Sequence, residues 1–320
     1  MIQSPEKIIA SSDDLCRIDK FLHSKFPDYS RTFFQELIET GKVMLNNKHV
    51  TKKTAVCIND EIEIVWPSKT PSLIPQPEKF NFDILFEDED MLVINKPAGM
   101  VVHPAAGNWS GTVVNALLGK DENFLEKLNA EDSDEISFNR PGIVHRIDKD
   151  TSGCLVIAKN IISKNRISES FADRKVKKIY KTIVIGKPQK QKDRIETLIG
   201  RHHIHRQKMA VVNHNGKEAI TIYDLVRVFE YERETLSLLD VQILTGRTHQ
   251  IRVHLAYKKL PILGDSLYGG KQKVEAPRQM LHAWKIELPH PRTKEILTIE
   301  CPLPDDFSKY FNFEEKCYRN

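Results

Sequence analysis

Apolar residues near the start of the chain recur at helical spacing, and further on the pattern turns to alternation. In RIDKFLHSKF, Ile18, Phe21, Leu22 and Phe26 fall on one helical face. In SRTFFQELIETG, Phe33, Phe34, Leu37 and Ile38 do the same, with Ser30 placed to cap the start and Gly41 to end the helix. KVMLNNKHV then predicts a short strand with an Asn-Asn turn, and EIEIVW (61–66) alternates acid with apolar as a half-buried strand does. The first part of the chain therefore reads as two short helices followed by a small β-ribbon.

Beyond residue 80 the periods are mostly those of strands. FDILFED, MLVINKP, CLVIAKN, IYKTIVIG, AITIYDLVRVF, TLSLLDVQI and MLHAWKIEL are rich in β-branched and aromatic residues. Helical candidates interrupt them at 110–119, where Ser110 could cap, and at 161–175 and 246–258. Many strands among few helices predict an α+β fold, with a central mixed or antiparallel sheet flanked by helices. Four prolines in PSKTPSLIPQPEKF (67–80) block regular hydrogen bonding and predict an extended linker. The expected organisation is a small domain at 1–66, the linker at 67–80, a large domain at 81–305 and a tail at 306–320. The acidic stretch 120–135 reads as a surface loop.

Composition narrows the classes. A 320-residue chain with 40% hydrophobic and 29% charged residues fits a globular protein. It contains no apolar run long enough to span a membrane, and MIQSPEKIIASSDD lacks the pattern of a secretory signal, so a cytoplasmic protein is expected. The net charge of +4 is compatible with a nucleic-acid partner without requiring one. Basic residues cluster in ADRKVKKIYK (172–181) and RHHIHRQK (201–208), which fits either an RNA-facing surface or a solvated face. The five cysteines are scattered with no Cys-x-x-Cys pair, so neither a disulfide framework nor a zinc ribbon is suggested.

Candidate chemistry concentrates in two stretches. In GIVHRIDKDTSG (142–153), an extended HRID would send Arg146 and Asp148 to one side and His145 and Ile147 to the other. A carboxylate beside a turn with an arginine alongside can act as nucleophile or base. The same tetrapeptide also fits a surface ion pair, or a metal site using His145 and Asp148. In LTGRTHQIRVHLAYKKLPILGDSLYGG (244–270), Arg247, His249 and Arg252 crowd together, and on a helix His249 and Arg252 would share a face. That arginine could meet a carboxylate brought from elsewhere; the alternative is a wet, basic helix face. Neither G-x-x-x-x-G-K-[ST], G-x-G-x-x-G nor G-x-S-x-G occurs, which argues against nucleotide cofactors and the serine-hydrolase elbow.

INKPAGMVVHP (94–104), GIVHRIDKDTSG (142–153), KKIYK (177–181), GRTHQIRVH (246–254) and LPILGDSLYGG (260–270), in this order and spacing, resemble the RluA-type RNA pseudouridine synthases, and VVHPAAGNWSGTVVNALL points to the RluD-like branch. RIDKFL, SR…LIETGKVMLNNK and NDEIEIVW resemble an S4-type RNA-binding domain. The resemblance implies isomerisation of uridine to pseudouridine in structured RNA, with large-subunit ribosomal RNA as the expected partner. It implies no cofactor, no metal, no membrane and no obligate protein partner. Position by position, Asp148 corresponds to the catalytic aspartate, Tyr180 to the tyrosine on the target base and Arg252 to the arginine that pairs with the carboxylate. Arg146 corresponds to the arginine that fills the gap left by the everted nucleotide, and Leu281 to an apolar pocket contact. RNA contacts are further expected from His145, Arg247 and His249, and in the small domain from Arg17, Ser30 and Arg31. Ile147 departs from the commoner leucine without touching the chemistry. The alternatives are a non-catalytic RNA-binding or ribosome-assembly protein, a synthase for transfer RNA, and a metal-dependent hydrolase.

Overall fold

The structure is a computed structural model; it describes residues 6–11, 16–26, 29, 31–66, 75–104, 108–121, 124, 128, 140–205 and 207–310. Ser30 and most of the acidic stretch 120–135 lie outside the described residues, as does most of the proline-rich 67–80. The chain divides into two compact units, the smaller built mainly from Met1–Gln76 and the larger mainly from Pro77 onward.

In the smaller unit, β1 (Glu6–Ile9) precedes α1 (Ile18–Lys25) and α2 (Arg31–Glu39), followed by β2 (Val43–Leu45), β3 (Lys48–His49) and β4 (Glu61–Ile64). The strands form an antiparallel sheet in the order β1-β4-β2-β3. The expected faces bury: Ile18, Phe21 and Leu22 of α1 pack with Phe33, Phe34, Leu37 and Ile38 of α2 against Val43, Ile62 and Ile64. Asn46 and Asn47 both take positive φ, which is what a two-residue hairpin loop requires. Strand β1 was not anticipated from the sequence; EKII is short and three of its four side chains are exposed.

The larger unit contains β5 (Asp83–Glu87), β6 (Met91–Lys96), α3 (Val113–Lys120), β7 (Ser152–Ala158), α4 (Ile161–Ala172), β8 (Lys177–Ile185), β9 (Lys192–Arg201), β10 (Met209–Val212), β11 (Lys217–Tyr231), β12 (Glu234–Ile243), α5 (Gln250–Tyr257), β13 (Leu281–Pro289) and β14 (Ile296–Glu300). One sheet runs β10-β9-β11-β12-β8-β13-β7-β6-β5, with β14 on β13. The β13–β7 pairing is parallel and the remaining pairings described are antiparallel, so the sheet is mixed. Strand β6 is a continuous apolar run because both its faces are covered. Leu92 and Ile94 pack with α3, whereas Met91 and Val93 belong to the main core on the other side.

Several local expectations shift. The cap of α3 is Thr112 rather than Ser110, with Thr112 and Asn115 forming a reciprocal capping box. Residues 305–310, all but the first expected to open a tail, are helical, and their Phe307 and Tyr310 are buried in the main core. The basic run at 172–181 is largely neutralised within the fold: Arg174 meets Glu218, Lys175 meets Asp173, Lys177 meets Glu287 and Lys181 meets Asp240. Among the described residues no helix is long and apolar enough to cross a membrane.

Candidate active site

Asp148 stands at the start of a tight turn leading into β7. The Thr151 amide donates to the Asp148 carbonyl at 3.1 Å and closes that turn. Neighbouring side chains fix it from several directions. The Arg278 guanidinium donates to the Asp150 carbonyl (3.0 Å) and to Ser152 Oγ (3.1 Å), while Gln279 donates to Thr151 Oγ1 at 2.9 Å. Lys96, completely buried at the end of β6, donates through Nζ to the carbonyls of Pro97, Met100 and Lys149 at 2.7, 2.8 and 2.9 Å. Burial pulls this ammonium down to about 7, and three carbonyl acceptors match its three donors. Gly153 follows with φ +108°, and a Cβ there would meet the Ala283 carbonyl oxygen at 2.3 Å. Only glycine allows the turn to lie this close to β13.

Arg252, on α5, reaches Asp148 from the other side of the pocket. Its Nη1 donates to Asp148 Oδ2 at 3.0 Å, and its Nε and Nη2 donate to the two oxygens of Asp265 at 2.7 and 2.9 Å. Asp265 in turn accepts from the amides of Leu267 and Tyr268, both at 3.0 Å. The Tyr268 ring lies 5.1 Å from the guanidinium carbon, and its hydroxyl meets His249 Nδ1 at 2.9 Å. Burial alone would lower the Arg252 pKa, but the Asp265 and Asp148 carboxylates outweigh it and raise it. The cation is therefore permanent. The exposures differ along the chain of contacts: the Asp265 side chain is 0% exposed, that of Arg252 9% and that of Asp148 19%. Asp148 Oδ1 has no partner among the described residues.

Tyr180 of β8 and Leu281 of β13 complete the apolar side of the same pocket, together with Ile243 and Ile251. Burial, with the Asp148 charge added to it, pushes the Tyr180 phenol above its ordinary range, so it stays protonated. Arg146, Arg247 and His249 line the polar side. The arrangement offers a half-open carboxylate held by a fixed cation beside an aromatic face: a place to bind a planar ring and stabilise positive charge on an attached carbon.

Residues 90–257 match the family model described as RNA pseudouridylate synthase, and residues 16–62 match the S4 domain. An uncharacterized RNA pseudouridine synthase of Chlorobaculum parvum is 41% identical over 91% of this chain and 91% of its own length. The ribosomal large subunit pseudouridine synthase D of Nitrosomonas europaea is 40% identical over 91% of this chain and 82% of its own. Among solved structures, human RNA pseudouridylate synthase domain containing 1 superposes with a TM-score of 0.55 at 25% identity, over 69% of this chain and 83% of that one. The chain belongs to the RNA pseudouridylate synthase family.

This pseudouridine synthase is thus an isomerase acting on RNA, with an N-terminal S4 domain. Its structure brings Asp148, Tyr180, Arg252, Arg146, Arg247, His249 and Leu281 into one pocket. His145 is not among them. Its Nε2 accepts from the Val156 amide at 2.8 Å and its ring stacks on Phe171, so it faces the core, away from Asp148. Burial drives it down to about 3, leaving a neutral ring committed to structure. His145 therefore stands outside the pocket that holds the other residues, and its Nε2 is already engaged by the backbone. His249 precedes α5 instead of lying within it, at φ 55°, and still reaches the pocket. In the S4 domain Arg17 and Arg31 both grip Asp19, yet keep 41% and 40% of their side chains exposed. LPILGDSLYGG revealed no role for Asp265 or Tyr268 as a sequence. An acid between Gly264 (φ +76°) and the Leu267 and Tyr268 amides it accepts from was the available signal.

Proposed function

We propose that this enzyme converts uridine to pseudouridine in large-subunit ribosomal RNA in the cytoplasm, with Asp148 as the catalytic carboxylate and no cofactor. The observation that carries the reading is the half-engaged Asp148, with Oδ2 on Arg252, Oδ1 without a partner among the described residues, and Tyr180 beside it. The reaction breaks the N1–C1′ bond, turns the base and joins C5 to C1′. Oxidation state is conserved and no group is lost, so the chemistry needs only charge stabilisation and proton transfer.

The target base must leave its stack to enter the pocket. Arg146, exposed at the rim, takes the vacated space, and the Tyr180 ring supports the uracil, a contact worth about 1–3 kcal/mol for base–aromatic stacking. As the glycosidic bond breaks, positive charge grows on the sugar. Asp148 stabilises it by bonding to C1′ or by taking a ribose proton, and Arg252 keeps the carboxylate aimed. Residues 1–66 grip structured RNA through the exposed faces of Arg17 and Arg31. The name of the Nitrosomonas relative supports large-subunit RNA as substrate. Pseudouridine mapping of total RNA from a deletion strain tests the choice. Loss of sites in large-subunit RNA is expected; a complete large-subunit set alongside missing transfer-RNA sites would contradict it.

A further inference from the structure

We propose that His103 and Arg140, beside Arg146, form a subsite for a backbone phosphodiester of the RNA that flanks the modified nucleotide. His103 follows β6 in VVHP and is only 4% exposed. Its Nδ1 is the one buried side-chain polar atom without a hydrogen-bond partner among the described residues. Leaving a buried polar atom unpaired is costly, and such an atom in an otherwise satisfied interior calls for an explanation. The backbone beneath it is rigid: Val113 and Val114 at the start of α3 donate to the carbonyls of Val101 and Val102 at 2.9 and 3.2 Å.

The surroundings say what would satisfy it. The guanidiniums of Arg140 and Arg146 both lie within electrostatic reach of His103, and of one another. Among the described residues neither guanidinium has a carboxylate or any other hydrogen-bond partner. Arg252, Arg278 and Arg292 of the same unit, by contrast, each hold an aspartate. Gathering like charges without a counter-charge is unfavourable unless an anion completes the group. Burial first, and then these two cations, push the imidazole down to about 4, so the free enzyme carries it neutral with a single N–H. One N–H within electrostatic reach of two guanidinium forks matches the oxygens of a phosphodiester. Arg146 also lines the Asp148 pocket, which puts the bound phosphate next to the everted nucleotide.

The inference rests on the reading of the Asp148 pocket as the modification site, and the test separates the two. Binding of the full chain to an unmodified large-subunit ribosomal RNA transcript is measured over a series of KCl concentrations for the parent, Arg140→Gln and His103→Gln. Parent conversion of uridine in that transcript is the control; its failure would count against the functional reading. Each variant should bind about tenfold more weakly at low salt. Arg140→Gln should also lower the slope of log affinity against log salt by about 0.7–0.9, the value for one phosphate contact. Arg140 is exposed, so this variant keeps the fold even if His103→Gln does not. An unchanged slope and affinity for Arg140→Gln overturns the proposal, whatever His103→Gln does.

Discussion

The two units solve opposite versions of one electrostatic problem. In the S4 domain a fully buried acid, Asp19, sits between two half-exposed arginines, Arg17 and Arg31, with Gln35 donating as well. In the catalytic unit a nearly buried arginine, Arg252, sits between two acids. Asp19 and Asp265 are both 0% exposed and fully engaged, and both belong to the scaffold. Asp148 differs from them by one oxygen and some exposure. The number of bonds an ionised group has left over, rather than the presence of an ion pair, separates chemistry from architecture. Burial alone would raise Asp19, yet Arg31, Gln35 and Arg17 outweigh it and hold it below its ordinary range.

The largest effect should come from removing the shared cation. Arg252→Ala leaves Asp265 buried without a counter-charge and Asp148 unaimed, so turnover should fall about 10²–10³-fold and stability by about 3–5 kcal/mol. Steady-state kinetics and chemical denaturation read the two losses; turnover within a few-fold of the parent would erase the distinction between the units. Asp19→Ala comes next. The arginines it releases can hydrate, so the S4 domain should lose about 2–3 kcal/mol, with far less change in turnover at saturating RNA. Smaller again is an acid sensitivity unrelated to either clamp. His254 is fully buried with both ring nitrogens bonded to threonines, Nδ1 to Thr221 and Nε2 to Thr197, and burial pushes it down to about 4. Its folded pKa lies below the unfolded value, so the unfolded chain gains the proton first. Stability should hold above about pH 6.5 and decline as pH falls towards 4, by on the order of 2 kcal/mol from this residue. His254→Gln should flatten that part of a melting-temperature profile. The smallest effect belongs to Arg17→Gln or Arg31→Gln, each costing at most about 1 kcal/mol of stability because the side chains are solvated. Their RNA affinity should still drop with a shallower salt dependence.

Elements whose burial is uniform or one-sided were legible in the sequence. Strands β6 and β7 announce themselves as apolar runs, and α1 and α2 by their apolar faces. Strand β9, KDRIETLIGR, was missed because its charged side chains are partly exposed and interrupt the alternation. HRID joins none of the strands; His145 turns to the Val156 amide and Phe171, while Arg146 and Asp148 line the pocket, which the buried Ile147 borders as well. The motifs pointed to Asp148, Tyr180 and Arg252 but were silent on Asp265 and Lys96. Their roles depend on which backbone groups the fold brings to them: two amides for the first, three carbonyls for the second. A spacing rule does not encode such contacts.

Catalysis turns, on this proposal, on a single oxygen atom of residue 148. Tritium release from RNA carrying 5-tritiated uridine, compared between the parent and Asp148→Asn with equal RNA binding verified for both, tests it most directly. Undisturbed binding and no release above background are expected for the amide. Tritium release by Asp148→Asn at a rate approaching that of the parent would contradict the proposal.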